Sequence, residues 1–372
     1  MDSAVRKATT DLLWAACRPE PDIEEVGRAA RGADPGLAVD AAVAHGAAGL
    51  LRRALVGGGL PDGWEQASRR LQTLTQVQIM EEVLVLPQAA ALALAPLREA
   101  GLQPVVLKGA ALVERYPERG LRPMVDIDLL LPAGDHGRAL PALADAGWRR
   151  LPQGGGGRYD AVLTHPAVPA LALELHHGLQ GWHERANRLD AKELWRQRRP
   201  GRCLGQQAWV LAPEEEVVLL AAHAGKPFHG FSRLIWLTDL AVVVAAAGAR
   251  FDWDRVAALA RRSRTVSVLA VALSMASRLG LQAPAELVEL PARGWRRAAL
   301  HPLLAPDWPL RFTGAPAPLP FHLRFALADT TWRRLVLSAG GCYGRSRSQQ
   351  LAWPVLALGR SARRWHQLRS CR

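Results

Sequence analysis

Apolar residues recur at helical spacing through the first hundred positions, so the chain is expected to open as helices. One begins at Asp11-Leu-Leu-Trp-Ala-Ala-Cys, a second runs over 36–55 and a long third over 65–86. The clusters Gly57-Gly58-Gly59 and Pro61-Asp62-Gly63 mark the break before the third. The period then shortens. Pro104-Val-Val-Leu-Lys-Gly reads as a short strand ending in glycine, 110–116 as a helix, and 123–131 (PMVDIDLLL) as a strong strand bounded by Pro132 and Gly134. A helix over 136–146, a loop of four glycines at 154–157, and strands over 159–164 and 170–177 follow. Helical spacing returns at 214–224, 234–247, 253–262 and 266–279, and from Pro284 onward proline and glycine break the pattern. The fold class this predicts is α+β, a small mixed sheet within a mainly helical chain. Its regions are a helical 1–100, a sheet-bearing 101–180, a helical 181–290 and a Pro/Arg-rich 291–372.

Chemistry concentrates where the period changes. On a strand, residues two apart share a face, so Asp126 and Asp128 lie together while Val125, Ile127 and Leu129 pack on the other side. Two adjacent carboxylates repel, and a hard divalent cation, Mg²⁺ or Mn²⁺, rewards the arrangement. The strand over 170–177 repeats the logic, with Leu171, Leu173 and Leu175 on one face and Glu174 and His176 on the other. A third carboxylate there completes a metal clamp for phosphoryl or nucleotidyl transfer. Lys108, Gly109 and Ala110 supply the opposite charge and a close backbone approach to phosphate, and Arg122 suits bidentate phosphate contact.

Charge and cysteine usage refine the picture. The net charge is +13, and only four of the 47 basic residues are lysine. Arginine richness of that kind accompanies a GC-rich genome, so it argues weakly for nucleic acid; nucleic acid as a partner is not favoured. Distribution says more, because no acidic residue follows Asp329 while nine arginines do. That basic tail suits an anionic partner or surface. It also holds Trp332, Trp353, Trp365 and a short apolar run over 351–358. The four cysteines form no C-x-x-C pair, which argues against a disulfide framework or structural zinc and fits a reducing compartment. The N-terminus is unlike a signal peptide. The apolar runs 83–97 and 234–249 are interrupted by Pro87 and Asp239 and fall short of a membrane span. The expectation is a cytoplasmic protein that is not integral to a membrane.

The run L-K-G-A-A-L…Y…R-P-M-V-D-I-D-L-L-L…L-E-L-H-H resembles the bacterial uncharacterised nucleotidyltransferase family, of the DNA polymerase beta-type superfamily. The downstream H-A-G-K…L-T-D-L-A stretch, with His223, Lys226 and Asp239, is similar to that family's helical segment. The resemblance is specific over 105–180 and loose over 10–290. It implies a polymerase beta-type sheet and a nucleoside triphosphate substrate. It further implies Mg²⁺ or Mn²⁺ on Asp126, Asp128 and Glu174, which are also the catalytic residues. Lys108, Gly109, Ala110, Arg122, His176, His223, Lys226 and Asp239 are implied for nucleotide binding. Relatives encoded near lasso-peptide and other natural-product biosynthetic clusters suggest a ribosomally made peptide or another biosynthetic intermediate as acceptor. Two departures stand out: Gly109-Ala110 replaces the superfamily's Gly-Ser, and Glu174 replaces an aspartate. A second reading, from a different class, is a degenerate basic adaptor that keeps the fold and holds an anionic partner.

Overall fold

The computed structural model describes residues 2–151, 160–179, 189–226, 229–289 and 295–311, with 323 and 326–329. The glycines at 154–157, His183, and everything after Asp329, including the arginine-rich tail and its apolar run, lie outside the described residues.

Four helices open the chain: α1 (Ser3–Ala16), α2 (Ile23–Gly32), α3 (Pro35–Ala44) and α4 (Ala48–Gly58). Asp2, Asp22 and Asp34 cap the first three by accepting first-turn backbone N–H groups, so α1 starts well before Asp11. The single helix expected over 36–55 is two, because Gly46 turns the chain between them at φ +67°. Next, α5 (Glu65–Met80) passes through a π-type turn at Glu81–Val85 into α6 (Leu86–Glu99). That turn has a local cause. The Leu86 N–H bonds the Glu81 carbonyl, and the widened turn accommodates Pro87, which has no N–H to donate. Pro87 therefore does not interrupt the element. Residues Glu65–Glu99 form one 35-residue helix, long and apolar enough by length and composition to cross a membrane. Val77, Met80 and Leu84 on it are more than half exposed.

Among the described residues the sheet has seven strands: β1 (Val105–Leu107), β2 (Asp126–Leu130), β3 (Arg149–Arg150), β4 (Asp160–Thr164), β5 (Ala172–His176), β6 (Arg199–Cys203) and β7 (Gln206–Val210). Their order is β3-β4-β5-β2-β1-β7-β6, with β2/β5 and β1/β7 parallel and the other pairs antiparallel. Three short helices accompany it, α7 (Lys108–Leu112), α8 (His136–Asp145) and α9 (Ala191–Arg196). The helix after β1 starts two residues earlier than the sequence suggests. The β6–β7 hairpin was not expected, since Arg199-Pro-Gly-Arg-Cys and Gln206-Gln-Ala-Trp-Val lack a clean alternation.

Period-two alternation splits the core. Val106, Ile127 and Leu129 join α6 and α8 in one apolar cluster, whereas Val105, Leu107 and Leu130 join the opening helices and the helices that follow the sheet in a larger one. Those later helices are α10 (Pro213–Ala224), α11 (Leu234–Ala247), α12 (Trp253–Ser263) and α13 (Val266–Ala276). Asp126 and Asp128 share the Leu130 face, so the acidic side of β2 looks toward the helical cluster. Short helices α14 (Ala285–Val288), α15 (Trp295–Leu300) and α16 (Trp308–Arg311) bring the chain back onto α1. Trp308 is fully buried against Trp14 and His45, and His45 Nε2 donates to the Pro309 carbonyl at 2.7 Å.

Helix α10 opens on Pro213 and three buried acids, where the helix dipole favours negative charge. Glu215 pairs with Arg255, and Glu216 pairs with Arg115 at 2.6 Å. Burial outweighs Arg115 and holds the Glu216 carboxyl up at about 7. A group raised in the folded state binds extra protons there, so its contribution is full at low pH and is lost as pH rises through about 7. Glu216→Gln removes that dependence. Relative to the natural protein, its melting temperature should climb between pH 5 and pH 8, by the equivalent of on the order of 3 kcal/mol. Parallel melting-temperature profiles for the two proteins would contradict this.

Candidate active site

The parallel register of β2 and β5 sets Asp128 directly opposite Glu174, two residue pairs from Leu130 opposite His176. Antiparallel pairing of β1 with β2 carries the chain from Leu107, opposite Asp128, straight into Lys108. Three elements thus converge. Lys108 Nζ donates to Asp128 Oδ1 at 2.5 Å, and His176 Nε2 donates to the same oxygen at 2.8 Å. His176 Nε2 also lies 3.3 Å from Glu174 Oε2. The Asp128 side chain is only 3% exposed, while Glu174 is 32% exposed, so Glu174 forms the accessible side of the cluster. Asp126 is partly buried on the same face.

Burial of these groups disfavours charge, and their neighbours decide the outcome. For Asp128, burial is outweighed by Lys108 and by the hydrogen bond from His176, which hold its carboxyl well below the usual range. Burial and the Asp128 charge push Asp126 upward, with Lys108 opposing. Burial works against the Lys108 ammonium, yet Asp128, Glu174 and Asp126 together raise it. Lys108 also holds a left-handed backbone, φ +51°. A β-carbon there carries some backbone strain.

Arg122 and Asp239 meet across the fold. Arg122 Nη2 donates to Asp239 Oδ2 at 2.9 Å and Nε to Oδ1 at 3.2 Å, while the Tyr116 hydroxyl donates to Oδ1 at 2.7 Å. Asp239 is fully buried and the Arg122 side chain is 9% exposed. This pair roofs the turn after β1: a Cβ on Gly109 would lie 2.9 Å from Arg122 Cζ and 2.9 Å from Met124 Sδ. Glycine is required there by packing. The chain leading into Arg122 is held by Glu82, within the π-type turn, whose Oε2 accepts from the Gly120 N–H at 2.6 Å.

A ring cluster stands beyond Lys108. His223 and His229 lie 4.4 Å apart, His229 is 4.8 Å from Trp236, and the Arg233 guanidinium sits 5.6 Å over Trp236. Burial, then Lys108 and Lys226, pushes the His223 imidazole well below the usual histidine range. Burial and Lys226 lower His229 to about 4. Both rings are therefore neutral at pH 7, flanked by cations.

Of the residues singled out in the sequence, Lys108, Asp128, Glu174 and His176 come into direct contact, and Asp126, Gly109 and Ala110 adjoin them. His223 lies within electrostatic reach of Lys108 and of Lys226. Arg122 and Asp239 bond to each other instead of facing an open space. His177 turns away from the carboxylates and packs edge-on to His136, with ring centroids 4.7 Å apart. Tyr116, His229 and Trp236 also belong to this region and are not among the residues the sequence pattern points to. The three-residue recurrence of His223, Lys226 and His229 was the available signal.

Two solved structures are similar over part of the chain. The antibiotic-resistance factor ANT(2'')-Ia is 18% identical, covering 50% of this chain and 92% of that one, with a TM-score of 0.29. An antigenic nucleotidyltransferase-like protein from Paracoccidioides brasiliensis is 15% identical, covering 56% and 96%, with a TM-score of 0.34. No curated protein matches the chain. Residues 31–280, more than half of the chain and the whole site from Lys108 to Asp239, match the family model described as uncharacterised nucleotidyltransferase. The chain belongs to that family of nucleotidyltransferases.

Proposed function

We propose that this site transfers a nucleotidyl group from a nucleoside triphosphate to an acceptor hydroxyl or phosphate. The observation that carries the reading is the pairing of Asp128 with Glu174 across parallel strands, with the Lys108 ammonium on the shared face. The donor set fits a divalent cation, since Asp128, Glu174 and His176 each offer a ligand atom within 4.8 Å of the others. Asp126, Asp128 and Glu174 would hold Mg²⁺ or Mn²⁺, which when bound neutralises phosphate charge and polarises the α-phosphorus.

The protein's own groups do the rest. Lys108, beside the Gly109–Ala110 backbone, neutralises the triphosphate, and His223 and Lys226 form the wall along it. Glu174, the accessible carboxylate, accepts the proton of the attacking hydroxyl. The acceptor oxygen bonds to the α-phosphorus as the bond to the bridging oxygen breaks and pyrophosphate leaves. Arg122, Asp239 and Tyr116 act as positioning residues that hold the Gly109 turn under the phosphates. Catalysis of this kind rests on orientation and fixed charge. A ribosomally made peptide or another biosynthetic intermediate is the acceptor class the sequence resemblance supports. A cytoplasmic location accords with a nucleoside triphosphate substrate and with the buried free thiols Cys17 and Cys203.

Thermal shift tests the reading against a degenerate adaptor. Selective binding to the folded state raises the melting temperature. The enzyme should gain several degrees from nucleoside triphosphate with Mg²⁺ or Mn²⁺ together, and little from either alone. An equal shift with nucleotide in the presence of a chelator would favour the adaptor.

A further inference from the structure

We infer that His176 is itself a metal ligand, and that its nitrogen tunes the site toward a first-row transition ion such as Mn²⁺ in preference to Mg²⁺. This rests on the nucleotidyltransferase reading above and deepens it. Among the described residues, Asp128, Glu174 and His176 offer ligand atoms that all lie within 4.8 Å of one another. His176 is placed by the strand period: two residues beyond Glu174 on β5, it shares the Glu174 face, and the parallel register brings it beside Asp128. Its Nε2 lies 2.8 Å from Asp128 Oδ1 and 3.3 Å from Glu174 Oε2, between the two carboxylates instead of behind either one. An imidazole that merely oriented a ligand would approach one carboxylate from its outer side. The side chain is 9% exposed, so water competes poorly for that position.

The chemistry follows from the donor atoms. Mg²⁺ binds oxygen and retains water, whereas imidazole nitrogen suits first-row transition ions, whose affinity rises from Mn²⁺ toward Cu²⁺. Two carboxylates and one imidazole keep enough oxygen for Mn²⁺ and add a donor that Mg²⁺ uses poorly. The bound imidazole must present an unprotonated Nε2, so His176 would bind an ion as its Nδ1–H tautomer.

The full-length protein, stripped of ions by chelation, is titrated with Mn²⁺ alone and followed by electron paramagnetic resonance. Mg²⁺ affinity is read by competition. In the natural protein the spin-echo spectrum of bound Mn²⁺ should show modulation from a directly bound ¹⁴N. His176→Gln should abolish that modulation and weaken Mn²⁺ at least about tenfold, the lower end of what even neighbours of ligands cost. Its Mg²⁺ affinity should move less than about threefold. His176→Asp, which restores an oxygen donor, should recover binding and shift the preference toward Mg²⁺. Absence of ¹⁴N modulation in the natural protein overturns the inference without any variant. So does Mn²⁺ affinity unchanged in a folded His176→Gln. Asp128→Asn distinguishes failure of the His176 ligand from failure of the nucleotidyltransferase site. Loss of Mn²⁺ binding in Asp128→Asn alone leaves the nucleotidyltransferase site standing and His176 outside it. Unchanged binding there, or no binding by the natural protein, removes the site itself.

Discussion

Asp128→Asn is expected to reduce nucleotidyl transfer by at least about a hundredfold, the scale of losing one fixed electrostatic contact in a water-poor site. It should also destabilise the protein, by about 3 kcal/mol. Like-charge repulsion with Asp126 alone would suggest that neutralising either aspartate is harmless. The contacts say otherwise for Asp128, whose Oδ1 accepts from both Lys108 and His176 in a buried position. Removing its charge strands the Lys108 ammonium, and breaking one side of a buried pair is costly. Asp126 differs. It is partly exposed, and burial and Asp128 already push its carboxyl upward. Asp126→Asn should therefore lose activity while stability holds or rises slightly. Turnover assays and urea denaturation of both variants check the contrast; equal stabilities, or an active Asp128→Asn, would contradict it.

Arg122→Ala should cost about 3–5 kcal/mol, because it leaves the fully buried Asp239 carboxylate without its bidentate partner. The Tyr116 hydroxyl alone cannot neutralise it. Replacing both members with apolar residues, Arg122→Met with Asp239→Leu, should recover much of the loss, since a buried pair stabilises little against well-packed apolar groups. Activity should stay low in that double variant, because the Gly109 turn has lost its roof. Denaturant unfolding reads the first effect directly. A near-normal midpoint for Arg122→Ala would return Arg122 to a phosphate-facing role.

The carboxylate face was legible in the sequence because β2 and β5 alternate cleanly and a two-residue period fixes which side chains share a side. Glycine at 109 was legible as a turn, although its cause, the Arg122 guanidinium above it, was not. That guanidinium finds its partner 117 residues further along the chain, on α11, where no local pattern relates the two. The β6–β7 hairpin was hidden for a related reason. Its strands gain their pairing from β1 and from each other, and their own residues carry no alternation. The long helix through Pro87 was obscured by a local rule that holds for α-helices and is relaxed by a π-type turn. Convergence of Lys108 and His176 on one oxygen depends on strand register, which sequence spacing alone does not set.

The proposed reaction cleaves at the α-phosphorus, through groups on β2 and β5. Phosphorus NMR of a nucleoside triphosphate incubated with the protein, with Mn²⁺ or Mg²⁺, and with water as the slow default acceptor tests it most directly. Slow appearance of pyrophosphate and nucleoside monophosphate is expected, dependent on the ion and absent with Asp128→Asn. Nucleoside diphosphate and inorganic phosphate as the products, or pyrophosphate formed equally by Asp128→Asn, would contradict it.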